Sequence, residues 1–237
     1  MNSNRDWLQP LQATRVTRGA GIALILSTVL EVAVLAHHPG LPMRDMILGT
    51  EAVQRLAVAS AWVHGILMIL LLIGFYSLTE FATQRDLRRP AVRLGLIAYS
   101  VGVTAMLGAA LIDGFVTARV PVILVKMASD GTLQEPLVNR QVLVLMGVIN
   151  RALADVGAVA MSFGIAVWSV TLLKGIGFER VIAIAGVLIG VLPVAALITG
   201  VLFLDRQGIL IFGAGQALWN IAVGMLLVRQ QTPSPAD

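Results

Sequence analysis

Six long apolar stretches, at 19–36, 56–78, 94–117, 150–173, 181–204 and 209–228, constrain what this chain can fold into. Each has about the length a helix needs to cross a ~30 Å hydrocarbon core. In that setting every backbone N–H and C=O must be bonded within its own segment. The expected fold class is therefore all-α, a bundle of six transmembrane helices. The composition agrees: 57% of the 237 residues are hydrophobic and 13% are charged, against about 25% charged in a soluble domain. Tails and loops are short, so residues 1–237 read as one transmembrane domain.

The fourth stretch is the least clearly bounded. Apolar character runs almost unbroken from Gln141 to Leu173, interrupted by Asn150, Arg151 and Asp155. That is ~50 Å of helix, more than a bilayer needs. The expectation is a surface-lying lead-in that becomes the true span near Asn150. Pro193, inside the fifth stretch, should kink it. Gly186 and Gly190 there, and Ala160 and Gly164 on the fourth, are spaced for close helix contacts.

Orientation follows from the basic residues. With the N-terminus inside, the cytoplasmic segments hold Arg5, Arg15, Arg18, Arg85, Arg88, Arg89, Arg93, Lys174, Arg180 and Arg229. The outer segments hold Arg44, Arg55, Arg119, Lys126, Arg140, Arg151 and Arg206. The dense Arg85–Arg93 cluster lies close to two span ends, where such charges count most. Both termini are expected in the cytoplasm, and the location is the cell inner (plasma) membrane. Val34-Leu35-Ala36 has the small residues of a cleavage site, but Glu31 interrupts the apolar run before it, so no cleaved leader is expected. The net charge of +4 comes from residues that flank spans. They suit lipid headgroups, and nucleic acid is not an expected partner.

Ionisable residues recur within these stretches: Glu31, His64, Asp113 and Asp155, with Arg151 beside the last. A charged side chain at the bilayer centre costs at least ~2.5–3.5 kcal/mol. Helical spacing sets them in stripes with other polar groups. Ser27, Glu31 and His38 share one stripe, Ser60 and His64 a second, and Arg151, Asp155, Ser162 and Ser169 a third. Gln216 and Asn220 lie on the sixth span, and only the fifth span lacks such a stripe. Counted from the outer span ends, Glu31, Asp113 and Asp155 fall ~7–10 Å inside and His64 and Gln216 ~12–14 Å. All lie in the outer half, which suggests a pocket open outward and sealed below by apolar packing. In a plainer reading, Arg151 and Asp155, at i and i+4, merely pair with each other.

The leading functional expectation is an outward-facing polar pocket that binds a small-molecule solute. Glu31, His64, Asp113, Arg151, Asp155, Gln216 and Asn220 would line it. Carboxyls beside a histidine allow proton coupling, hence transport, as an extension. A second expectation is a hydrolase-like metalloenzyme, with Glu31, His64, Asp113 and Asp155 as divalent-metal ligands and no other cofactor indicated. No H-E-x-x-H motif supports it. A softer metal site, suited to copper, is His37, His38, Met43 and Met46 in the first outer loop. A third expectation is an accessory or scaffold subunit without chemistry of its own.

Other signals are negative. Cysteine is absent, which excludes disulfides and thiolate metal sites. No G-x-G-x-x-G or Walker lysine occurs, and neither Ser162 nor Ser169 has a histidine within helical reach. Trp7 and Trp168 fall where an inner interfacial belt would lie, whereas Trp62 and Trp219 are deeper, where packing is the expected role.

Overall fold

Arg89 and Pro90 show how sharply the chain marks its turns. Residue 89 is held extended at ψ 123° ahead of the proline, and Pro90 opens the next helix, where its missing N–H costs nothing. Just before it, Asp86 takes a positive φ of 69° and its carboxylate accepts from the Arg88 N–H at 3.0 Å. The computed structural model of the protein describes residues 8–37, 50–130, 136–204 and 206–229. It is all-helical there: α1 (Leu8–Ala36), α2 (Thr50–Gln84), α3 (Pro90–Leu111), a π-helical turn (Ile112–Thr117), α4 (Val120–Ser129), α5 (Pro136–Leu172), α6 (Phe178–Ile198) and α7 (Arg206–Arg229). Six helical segments are long and apolar enough to cross a membrane: Arg15–Ala36, Gln54–Gln84, Pro90–Ile123, Gln141–Leu172, Phe178–Ile198 and Gln207–Arg229.

The boundaries differ from the sequence reading in instructive places. No break occurs at Asn150, since α5 is one continuous helix from Pro136 to Leu172. The fifth span stops at Ile198, short of Leu204. There the Thr199 hydroxyl donates back to the Ala195 carbonyl at 2.8 Å, and Gly200 takes φ 71°, a left-handed cap open to glycine. Pro193 sits within α6, which nevertheless continues across it.

α3 packs chiefly on α5, α5 on α6, and α1 on both α7 and α2. Small residues let the backbones approach. A Cβ on Gly21 of α1 would stand 2.7 Å from the Gly224 carbonyl oxygen of α7. Gly102 of α3 and Gly157 of α5 meet in the same manner, as do Gly190 and the Ser162 carbonyl. The anticipated contacts at Gly164, Gly186 and Gly190 are therefore present.

The bundle has two unlike ends. One carries the α2–α3 and α5–α6 turns and the last turn of α7, and is termed the basic end. Arg85 there pairs with Glu179 at 2.8 Å, Arg229 lies over the Phe178 ring, and Gln84 hydrogen-bonds Thr17. Beneath this layer sits an aromatic core. Trp168 and Trp219 stack at 6.2 Å, with Phe81 edge-on to both and Tyr99 against Trp168. Trp168 is 1% exposed and donates its indole N–H to the Val92 carbonyl at 3.1 Å. It is a core residue rather than an interfacial anchor. Trp219 is buried as expected, whereas Trp62 stands 70% exposed on the outer surface.

Trp219 donates to the Ser169 hydroxyl at 3.0 Å, both groups being buried. Ser169→Ala strands that indole N–H, which should cost about 1–3 kcal/mol. A lowered thermal midpoint in detergent checks it; an unchanged midpoint would mean the bond carries none of the stability.

Candidate functional site

Toward the end opposite the basic one, aromatic bulk gives way to small side chains. A cavity of about 390 Å³ opens between α1, α2, α3, α5 and α7. Ala109, Ala110, Ala154, Gly213 and Ala217 form part of its wall, and their small size leaves the space. The polar lining comes from Thr28 and Glu31 of α1, Ser60 and His64 of α2, Asp113 of the π turn, Asn150 of α5, and Gln216 and Asn220 of α7. No residue of α6 contributes, consistent with the absence of a polar stripe on that helix.

His64 and Asp113 form the best-defined contact. The π turn brings Asp113 to the cavity, and Gly114 within it packs directly on the His64 side chain, where a Cβ would collide. Single π turns of this kind often mark functional positions. His64 Nε2 lies 3.1 Å from Asp113 Oδ2, and Nδ1 lies 2.8 Å from the Ser60 carbonyl oxygen. A carbonyl only accepts, so Nδ1 carries a hydrogen. Nε2 and Oδ2 then bond through a single proton, held by the imidazolium or by the carboxyl.

The other polar groups are less completely satisfied. Asn220 lies beside the Tyr99 hydroxyl, and Tyr99 lies within electrostatic range of Glu31. Asn220 Oδ1, Asn150 Oδ1 and Gln216 Nε2 are buried with no hydrogen-bond partner among the described residues. Glu31 likewise has no protein hydrogen bond or ion pair among them.

The polar groups occupy two tiers. Ser27 and Leu24 lie opposite Gly74. Counting from that level toward the α4 end, Glu31 is one turn away and His64 nearly three, so they stand ~9 Å apart along the bundle. Depth counted from the span ends gave the reverse order. The cause is that α2 begins at Thr50 and runs well past the end of α1.

Five of the residues picked out from the sequence thus line one cavity: Glu31, His64, Asp113, Gln216 and Asn220. Arg151 and Asp155 do not. On α5 the lining face is Asn150, Ala154 and Met161, and one residue farther along is about 100° round the helix. Nor do the two pair: Arg151 lies over the Phe203 ring at 5.3 Å, and Asp155 has no ion pair among the described residues. Tyr99 and Asn150 were missed as lining residues. Asn150 interrupts an apolar run and could have been found by following the Asn150–Ala154 face, whereas Tyr99 carries no signal in the sequence that separates lining from packing.

The metal readings fare differently from the pocket. Among the described residues no group of three or more His, Cys, Asp or Glu side chains could hold a metal ion. Glu31, His64, Asp113 and Asp155 do not form a ligand set: Glu31 sits a tier away from His64, and Asp155 lies off the cavity. His37 Nδ1 contacts the Ala33 carbonyl at 2.8 Å, while His38, Met43 and Met46 lie outside the described residues. No protein-family model, curated protein or solved structure matches this chain.

Gly114→Ala should drive a methyl group into His64 and lower the thermal midpoint by several degrees, a cost of ~1–3 kcal/mol for overpacking. Gly147→Ala, with nothing within 4 Å of the added carbon, is the matched control and should leave the midpoint unchanged or slightly raised. Equal midpoints for the two variants would show that the π turn does not depend on that contact.

Proposed function

We propose that this is a multi-pass protein of the cell inner membrane that binds a small solute in the cavity, with the His64–Asp113 proton available for coupling to transport. The observation that carries the reading is the combination of space and unmet bonding. A cavity of about 390 Å³ is lined by Asn150, Gln216 and Asn220, each with one buried side-chain atom that lacks a hydrogen-bond partner among the described residues, and by Glu31, whose carboxyl has no hydrogen bond or ion pair among them. Buried polar atoms in folded proteins are nearly always bonded. A solute toward which those amides turn would complete the bonds and be held by them.

Orientation supports access from outside. The basic end carries Arg85, Arg88, Arg89, Arg93, Lys174, Arg180 and Arg229 and faces the cytoplasm in this reading. The cavity lies toward the other end, with Leu35, Leu204 and Ile209 among its lining residues there. The aromatic core of Trp168, Trp219 and Phe81 closes the path beneath it. Movement of solute to the inside would therefore require those helices to shift.

Because Nε2 and Oδ2 share one proton, a solute that displaces either group changes how tightly that proton is held. Binding and protonation are then linked, and linkage acts in both directions.

Thermal-shift screening of the purified protein against a small-solute library tests the first part. A ligand at 100 times its dissociation constant should stabilise the protein by ~2.7 kcal/mol. Gln216→Leu and Asn220→Leu should weaken that response. A library that leaves the wild type unmoved, with both variants stable, would favour an accessory or scaffold role. In proteoliposomes with a trapped pH dye, the solute found should produce proton movement in the wild type. Asp113→Asn should abolish the proton signal while retaining binding within about tenfold; proton movement undiminished in that variant would remove the pair from the coupling.

A further inference from the structure

The chemistry of the cavity wall narrows the solute further, on the premise that the cavity is a solute site. Charge comes first. Among the described residues the lining holds two carboxyl groups, Glu31 and Asp113, and no lysine or arginine. The one basic side chain, His64, is bonded through Nε2 to Asp113. Asp113 therefore has its cationic or proton-sharing partner, whereas Glu31 has none among the described residues. An anionic solute would find no fixed positive group to meet it.

Several amide atoms of the lining residues lack partners among the described residues. Asn150 Oδ1 and Asn220 Oδ1 lack donors, and Gln216 Nε2 lacks an acceptor. Gln216 and Asn220 are 6% and 7% exposed, so water at the surface does not complete their bonding. These amides offer donors and acceptors alike, so the Glu31 carboxyl sets the balance and calls for an N–H donor. An ammonium group supplies three donors and a positive charge on one atom.

The rest of the wall is apolar. Leu67, Met68, Leu71, Met106 and Met161 line the cavity between the polar groups. Methionine side chains adapt to irregular apolar shapes. A sugar or a polyol would leave its own hydroxyls unbonded against this surface.

We infer that the solute is a lipophilic amine: one protonated nitrogen set between Glu31 and Asn220, with an apolar body lying along the leucine and methionine wall. Glu31 is the specificity-determining residue of the site, and the His64–Asp113 pair, a tier away, is left to proton exchange.

The test uses the full-length protein in a non-ionic detergent at pH 7.5, titrated calorimetrically with n-octylamine, n-octanol and octanoate. At that pH the amine is cationic and the acid anionic. Wild type and Glu31→Gln are compared, which cancels partition of each compound into the micelle. Octylamine should bind the wild type most tightly, and Glu31→Gln should weaken it about tenfold or more while octanol binding holds. Ala110→Phe, which fills the cavity, should abolish both. Octanol binding as well as octylamine, with both lost in Ala110→Phe, would overturn the cation preference and leave the solute site standing. Tighter binding of octanoate would overturn the inference as well. No binding by any of the three would overturn it too, and the library screen on the same preparation then decides whether the solute site falls with it.

Discussion

Helices with an apolar outer surface have few places to put a polar side chain, and this single constraint organises the molecule. Short hydroxyl side chains meet it locally by bonding to their own helix. Ser27, Ser77, Thr79, Ser100, Thr104 and Thr171 each donate to a carbonyl three or four residues back. They need nothing from a neighbouring helix and mark no site. Carboxyls, amides and imidazoles have more bonding atoms than one backbone carbonyl can serve. Those of Glu31, His64, Asp113, Asn150, Gln216 and Asn220 converge on one interior space. Their meeting point is where the bundle has to provide a polar interior.

That space has a structural origin in side-chain size. At the basic end, Trp168, Trp219, Phe81 and Tyr99 fill the centre, and two indole N–H groups bond across helices to fix the arrangement. Toward the other end the facing positions are alanine and glycine. Helices that pack closely through Gly21, Gly102, Gly157 and Gly224 cannot close further over the small residues above without distorting those contacts. α6 lies outside this arrangement, buttressing α5 through Gly186 and Gly190 and contributing nothing to the cavity.

Much of this was legible from the chain alone, and the failures have physical causes. Helix number and type follow from apolar length, because a bilayer leaves so little alternative. Glu31, His64, Asp113, Gln216 and Asn220 were legible because their transfer cost is conspicuous in an apolar run. Arg151 has the same conspicuous cost but is exposed, with its guanidinium resting on Phe203, and Asp155 is half-buried on α5 off the cavity. Rotation about a helix is the quantity that sequence spacing gives least well, and one residue on α5 separates a lining position from an outward one. The π turn at Ile112–Thr117, which delivers Asp113, leaves no periodicity to read. Trp168 looked interfacial by its place near a span end, and only the packing of Val92 and Tyr99 around it shows otherwise.

The cavity, about 390 Å³ and partly open, is walled by both apolar and polar side chains. Water is a poor match for the apolar wall, since an ordered water needs two to four polar partners and the leucines and methionines there offer none. A hydrocarbon chain suits that wall but leaves Glu31 and the amides of Gln216 and Asn220 unmet. In the proposed reading, a molecule with both characters satisfies the two surfaces at once.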